Sequence, residues 1–371
     1  MKTTNPFPRR QIGFSIIEIM VGVVIGMIAV LVIYQVFATS EGIKRNITAA
    51  GDAQQNGLLS SFMMGIELAN AGNGLAVAAQ DLGTCTPAAA MKDSLRPIPL
   101  LVTPGANDNT PDSFVIYYSV ARTLIAPALF TSAAAANSAY QVQSANGFKQ
   151  GDLIVAITNP SGAGDCYSSR ITAAVPAPDA NGIVTITHTG APVGIGASAT
   201  LFNLGPSNLV QKVRYDVSGG NLRSTSLLDS DGVPSTTQPV NPIASNVLNI
   251  KVQYGIDTVG DGLVHHWVPG ISGTPYGDWD PATLLAAPVA TINRIKAARI
   301  AVLVRSEQHD KDLSPDPGFN PPPVFNDCAD GGTCYPVSFS VPAVAGQPYG
   351  WRYRIYETVI PLRNEVWNKE V

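Results

Sequence analysis

From position 14 to 38 the chain is apolar but for Ser15 and Gln35, and holds one charge, the Glu18 carboxylate near the start of the run. As a helix this run reaches about 37 Å at 1.5 Å per residue, enough to cross a hydrocarbon layer about 30 Å thick. Past Ala38 polar residues enter, but apolar ones recur at Ile43, Ile47, Ala50, Leu58, Leu59, Phe62, Ile66 and Ala69. Those spacings are mostly three or four, or multiples of them, as an amphipathic helix requires. Gly72 and Gly74 supply a stop. The pattern predicts one helix in two halves, 14–38 for lipid and 39–72 packed on a head. Gly42, Gly51 and Gly57 are weak helix formers and mark places for bends or local melting. Gly22 and Gly26 make a G-x-x-x-G pair, which permits close helix approach in lipid or is merely tolerated there.

From about 113 the period changes to that of strands between turns. Segments 114–120, 153–157, 183–187, 199–204, 209–217, 222–228, 247–254, 297–304 and 352–361 read as strands. Ser218-Gly219-Gly220-Asn221 is a strong hairpin signal. In 247–254 the set Leu248, Ile250, Val252 and Tyr254 is more apolar than the alternate set Val247, Asn249, Lys251 and Gln253. Two stretches break the series, 265–293 and 306–336. The second holds Ser314-Pro315-Asp316-Pro317 and Pro321-Pro322-Pro323, whose missing N–H groups block ladder bonds, so it reads as an exposed, extended loop. The fold class expected is α+β, a long N-terminal helix packed on a β-rich antiparallel head, 73–371, with elaborated loops.

Composition agrees. Among 371 residues, 34 are Gly and 29 Pro, and 13% are charged, a mix that favours loop-rich β structure. Residues 1–13 hold three of the 23 basic residues, Lys2, Arg9 and Arg10, and none of the 27 acidic ones, leaving the rest at −7. No general electrostatic footprint for nucleic acid results, and no direct nucleic-acid binding is expected. The basic leader should stay cytoplasmic by the positive-inside bias, with everything after the helix outside. A secretory signal fits poorly, because its apolar region spans 7–15 residues and ends at a small-residue cleavage site.

Cys85, Cys166, Cys328 and Cys334 are an even set in an exported chain, which suggests two disulfides. Three pairings exist. Cys328 and Cys334 bracket Ala329-Asp330-Gly331-Gly332-Thr333 and would close a small loop, which leaves Cys85 with Cys166. Paired C-x-x-C units for a metal are missing.

Other motifs are weaker. Gly194-Ile195-Gly196-Ala197-Ser198-Ala199 matches G-x-G-x-x-A with Asp216 downstream, but a dinucleotide site needs a helix next, and a short strand is expected there. Asp257-Thr258-Val259-Gly260-Asp261-Gly262 and Asp229-Ser230-Asp231-Gly232 are acidic turns with two carboxylates each. Ca²⁺ wants six to eight oxygens, so Asp257 and Asp261 stay weak metal candidates beside their role as turn formers. His265 and His266 are adjacent and on a strand would point to opposite faces. Trp267, Tyr276, Asp278 and Trp279 either anchor a loop or form a binding surface. No catalytic constellation and no cofactor site is expected.

Gly13-Phe14-Ser15-Ile16-Ile17-Glu18 under a basic leader closely resembles the type IV prepilin signature. Three later blocks resemble the PilW family of type IV minor pilins. They are Asn246-Val247 leading to Gln253-Tyr254-Gly255-Ile256-Asp257 and Asp261-Gly262, then Ala298 to Ser306, then Thr358 to Asn364. The resemblance implies cleavage by a prepilin peptidase between Gly13 and Phe14, with methylation of the new amine. It implies a pairing of Glu18 with a neighbouring Phe14 amine, and Gly22 and Gly26 in a helix bundle. The implied partners are other minor pilins, the major pilin, the inner-membrane assembly platform and a large tip adhesin. The implied place is the inner membrane with a periplasmic head, then the pilus near its tip. The implied work is initiation of pilus assembly, without catalysis. Two alternatives stand beside it, a minor pseudopilin of a type II secretion system and a signal-anchored periplasmic binding protein or enzyme.

Overall fold

The computed structural model describes residues 13–73, 85–86, 98–120, 127–157, 164–189, 194–229, 232, 235–310, 313–327 and 332–362. The leader 1–12, Gly74, Ser230, Asp231, Cys328 and the last residues of the third PilW-like block, Arg363 and Asn364, lie outside them.

Helix α1 spans Ile16–Ala69, 54 residues, about 81 Å of helix. It runs without a break through Gly42, Gly51 and Gly57, so the local melting expected there does not occur. One glycine costs a helix only about 1 kcal/mol, too little to open a cooperative ladder that continues on both sides. The stop is as expected at Gly72, whose φ of 76° is left-handed and whose N–H donates to Tyr117 O at 2.9 Å.

The chain then makes β1 (Cys85–Thr86), β2 (Leu100–Thr103) and β3 (Ser113–Ser119). An excursion follows, with β4 (Ala128–Leu129), β5 (Tyr140–Val142), β6 (Asp152–Ile157), β7 (Gly164–Arg170), β8 (Val184–Ile186) and β9 (Thr200–Pro206). It returns at β10 (Val210–Ser218), and continues as β11 (Asn221–Ser226) and β12 (Val240–Ser245). Then come β13 (Val247–Ile256), β14 (His266–Pro269), two short helices α2 (Pro281–Ala286) and α3 (Val289–Asn293), β15 (Ile295–Arg305) and β16 (Tyr353–Pro361).

Two sheets form the main head, β12-β11-β10-β3-β2 and β14-β13-β15-β16, both antiparallel. The excursion builds its own sheet, β1-β7-β6-β9-β4, and a small β5-β8 pair. Every strand expected from the pattern is present within a few residues. The hairpin turn closes as read, Ser218 opposite Asn221, with Gly219 and Gly220 both at positive φ, as a two-residue primed turn demands. The strands missed are short or apolar-poor. β7, Gly-Asp-Cys-Tyr-Ser-Ser-Arg, forms because its neighbour β6 offers an edge, not because of its own propensity. The 265–293 stretch contains β14, α2 and α3 rather than loop alone. The 306–336 stretch has no named strand among its described residues; it is pinned by isolated bridges such as Val324 to Val337 and Phe319 to Val341.

The central sheet is covered on both sides. On one side Ile250, Val252, Tyr254, Ile300 and Val302 join Met64 and Leu68 of α1 in the main core. Full burial of each such side chain is worth about 1.5–3 kcal/mol. The polar set on the other face of β13 is buried as well, under residues 104–112, 325–327 and 332–337. Buried polar groups need partners, and each of these side chains has at least one, although Asn249 Oδ1 accepts from none. Asn249 Nδ2 donates to Asp108 O at 2.8 Å, Lys251 Nζ meets Asp112 Oδ1 at 2.8 Å, and Gln253 Nε2 donates to Tyr335 O at 2.7 Å. The excursion has a core of its own, including Phe130, Tyr140, Ile154, Ile186 and Leu201. A seam of Tyr117, Val155, Phe202, Val210 and Leu228 joins it to the main head.

Candidate functional site: an assembly surface

The helix starts with a cap that the sequence reading passed over. Ser15 is the N-cap, with its Oγ accepting from Ile17 N–H at 3.3 Å. Glu18 reaches back, and its Oε2 accepts from Ser15 N–H at 3.2 Å. This is a capping box, and the S-x-x-E spacing could have revealed it. Glu18 therefore has a partner within its own chain, placed where the helix dipole favours an anion. Gly13 and Phe14 precede the cap in non-helical backbone, and Phe14 is exposed. A side chain placed at Gly22 or Gly26 would meet nothing within 4 Å.

The aqueous half of α1 is turned the opposite way from what its apolar periodicity suggests. The buried positions are Ala49, Ala53, Gly57, Ser60, Met64 and Leu68. Of the expected inward set, Ile43 is 56% exposed, Ile47 68%, Leu58 52%, Phe62 63% and Ile66 47%. The reason is closeness. The Tyr356 ring of β16 occupies the place of a Gly57 side chain, its Cε2 2.1 Å from where a Cβ would stand. Small residues let the sheet come up to the helix backbone, and the larger apolar ones are left outside. Two polar contacts fix the helix on the head. Tyr118 Oη donates to Glu67 Oε2 at 2.9 Å, and Asn56 Nδ2 donates to Ser245 Oγ at 3.4 Å. Burial, then the Glu67 charge, pushes the Tyr118 phenol above its ordinary pKa.

Successive residues advance about 100° round a helix. Asn56 faces β12, Gly57 faces β16, and Leu58 therefore points beyond β16, away from the head. Ile47, Gly51 and Phe62 lie within about 40° of Leu58. Gly22 is about ten turns earlier on the same meridian, with Gly26 about 40° from it. By the same count Ser40 falls on this meridian and Lys44 and Gln54 within about 40° of it, so polar positions separate Gly22 and Gly26 from the aqueous set Ile47, Gly51, Leu58 and Phe62.

The remaining candidates resolve into loop chemistry. The buried Asp257 carboxylate accepts from Val259, Gly260 and Gly262 N–H at 2.9, 2.7 and 2.6 Å. Burial pushes this carboxyl up, but those three amides and nearby His265 outweigh it and hold it below the ordinary value. His265 sits between two carboxylates, Nδ1 3.5 Å from Asp257 Oδ1 and Nε2 3.4 Å from Asp261 Oδ2. His265 is a member that sequence reasoning missed; its spacing of four and eight from the two aspartates was the available signal. Because the two ring nitrogens face different carboxylates, the arrangement suits an imidazole clasp better than one shared ion.

His266 turns away and stacks on Tyr276, centroids 3.8 Å apart. Trp279 is fully buried against Tyr254, Trp267 lies under Arg299, and Asp278 accepts from Gly273 N–H at 2.6 Å. These aromatics anchor the 265–293 stretch on the core. Ala199 leads straight into β9, so the G-x-G-x-x-A run opens no helix. Cys334 is disulfide-bonded. Cys85 lies on β1, parallel to β7 and paired with Gly164, two residues from Cys166; the side chains of Cys85 and Cys166 are outside the described set, as is Cys328.

The comparisons fall on the same two regions. The prokaryotic N-terminal methylation motif matches residues 8–34, the start of α1 and what precedes it. The chain thus carries the prepilin-type motif at the start of a helix long and apolar enough to cross a membrane. The family described as Type IV Pilus-assembly protein W, PilW, matches residues 214–364, from β10 to just past β16. Together the two matches indicate a PilW-type minor pilin of a type IV pilus, a structural family whose members work with other pilus components. Among solved structures, a type IV-like pilin from Thermus thermophilus is similar at 10% identity, over 79% of this chain and 94% of that one, with a TM-score of 0.31; nothing below rests on it. No curated protein matches the sequence.

Proposed function

We propose that this subunit acts in a priming or tip complex that initiates pilus assembly, through contacts and not through catalysis. The observation that carries the reading is the set of exposed apolar side chains on the outer face of the aqueous half of α1, Ile47, Leu58 and Phe62. A soluble head gains nothing by leaving Ile47, Leu58 and Phe62 in water, since exposed contiguous apolar surface marks an interaction site. A parallel helix of another pilin covers such a stripe along its whole length. The anchor holds the subunit in the inner membrane with its head in the periplasm until it is drawn into the filament near the tip. Partners are other minor pilins, the major pilin and the assembly platform, with a large adhesin beyond them.

Processing by the prepilin peptidase falls between Gly13 and Phe14. The Glu18 carboxylate is then handed from its own cap to a neighbour's Phe14 amine. The disulfides in this reading are Cys328–Cys334 and Cys85–Cys166, and non-reduced peptide mapping checks both.

The test is a deletion strain complemented with the Leu58→Asp, Phe62→Asp double variant. Loss of surface pili, with the major pilin still in the membrane pool and the variant's thermal stability unchanged, is expected. Wild-type piliation from that variant would end the proposal. Intact mass of the membrane-extracted protein tests the cleavage; a chain still beginning at Met1 would remove the processing step.

A further inference from the structure

The head sheets end in strands whose outer edges differ in one respect. β2 and β14 have four residues each. The Val102 N–H of β2 is already given to Tyr254 Oη at 2.5 Å. β12 carries Pro242, and its register against β11 shifts between Leu222 and Arg223. Short length, a proline and a bulge are the usual guards against edge pairing. The excursion's edges, β1 and β4, have two residues each. β16 has none of these guards. It has nine residues, pairs with β15 in unbroken register from Tyr353 to Pro361, and holds its one proline at the very end. Among the described residues its other edge has no strand beside it.

The position of that edge adds meaning. Gly57 meets Tyr356 and Gly65 meets Ile360, so eight residues of helix, about 12 Å, match four of strand, about 13 Å. Helix and strand run side by side in the same direction. Leu58, one step beyond Gly57, lies on the open side of β16. The open edge and the apolar stripe are therefore neighbours along one flank of the molecule.

We propose that β16 accepts an edge strand from the head of a different pilin-type subunit, so that the central sheet continues across the subunit boundary. The inference rests on the assembly reading above and names the contact that reading requires of the head. The partner is a subunit whose own helix lies on Ile47, Leu58 and Phe62, which brings its head to this flank. Its strand carries apolar residues on the side facing Leu58, and its main-chain N–H and C=O groups pair with those of β16. A second copy of this chain does not fit. Antiparallel β16-to-β16 pairing would turn the two helices in opposite directions, whereas two copies anchored in one membrane point the same way; parallel pairing about an axis along the strands keeps the direction but puts the two helices on opposite faces of the joined sheet, where neither covers the Ile47, Leu58 and Phe62 of the other. The other edges that a copy could offer are short or guarded.

Hydrogen exchange on the full-length protein in detergent micelles tests this, alone and in the complex with the other minor pilins co-expressed with it. Alone, the β16 amides that face the open edge exchange freely while those bonded to β15 do not. In the complex the open-edge amides should slow at least about 100-fold. A complex that forms with those amides unprotected overturns the proposal while the assembly reading survives. Failure of any complex to form overturns both. A cross-link between two β16 strands of this chain also overturns it.

Adjacent proline variants give a second readout, because successive N–H groups alternate sides along a strand. Of Thr358→Pro and Val359→Pro, one removes a bond to β15 and lowers the melting temperature. The other removes only an open-edge donor. That second variant should melt like the wild type and lose the complex; if it retains the complex, the edge is not the contact.

Discussion

The two long faces of α1's aqueous half are made of different residues, and the difference runs against ordinary expectation. The face on the head is Ala49, Ala53, Gly57 and Ser60 before it reaches Met64 and Leu68. The face in water is Ile43, Ile47, Leu58, Phe62 and Ile66. A helix that needed only its own head would bury the second set. Small residues against the sheet make a close, permanent contact. Large apolar residues outside remain available for a contact made later. What the comparison teaches is that hydrophobic periodicity locates a helix's contact faces without saying which of them is filled within the same chain.

The largest effect expected from breaking the comparison is on the outer face. Leu58→Asp with Phe62→Asp should lower surface piliation at least about tenfold, the response to losing about 1.4 kcal/mol of association, with no change in melting temperature. Counting sheared pili against the membrane pool of major pilin checks it. On the inner face, Leu68→Ala should cost about 2–5 kcal/mol of stability, read from denaturant unfolding, whereas Phe62→Ala stays within about 0.5 kcal/mol. Similar costs at Leu68 and Phe62 would erase the distinction between the faces.

Glycines sharpen the contrast. Gly57→Val drives a side chain into the Tyr356 ring and should cost about 1–3 kcal/mol, while Gly51→Ala, which meets nothing within 4 Å, should gain up to about 1 kcal/mol from helix propensity.

The smallest effect belongs to a region remote from either face. Asp257 is held below its ordinary pKa, so its contribution is present above the unfolded carboxyl value near about 3.9 and fades as pH falls through the folded value. Asp257→Asn keeps one acceptor oxygen and should cost about 1 kcal/mol at neutral pH. Below about pH 4 its stability should converge on that of the wild type, which unfolding curves across pH 2–7 would follow.

Much of the architecture was legible because local signals agreed with it. The apolar run and the glycines at its end marked α1, and Ser218-Gly219-Gly220-Asn221 marked the β10–β11 hairpin. Strands β13 and β15 stood out because they are long and rich in branched residues. What stayed hidden depends on distant partners. The polar face of β13 is buried only because residues 104–112, 325–327 and 332–337 fold over Asn249, Lys251 and Gln253. The orientation of α1 was hidden for the same reason, since nothing near Gly57 announces that Tyr356, about 300 residues away, will lie on it. At the candidate site the terminal residues were readable as a motif, but the Ser15 cap was overlooked although its spacing was in plain view. His265 was discounted because of its neighbour His266, yet the two face different partners, as alternation requires.

The excursion between β3 and β10 bears on how such a subunit can change over generations. Its flanks, Ser119 and Val210, are directly opposite each other on paired strands, a gap of about 5 Å between their Cα atoms. Everything from β4 to β9 therefore hangs from a doorway no wider than a hairpin turn. Lengthening or replacing such a segment adds little closure entropy, because that cost grows only with the logarithm of loop length. The anchor and the β13–β16 sheet meet the same constraints whatever hangs there. The length of that segment can therefore change without altering the chain connections of α1 or of the β13–β16 sheet.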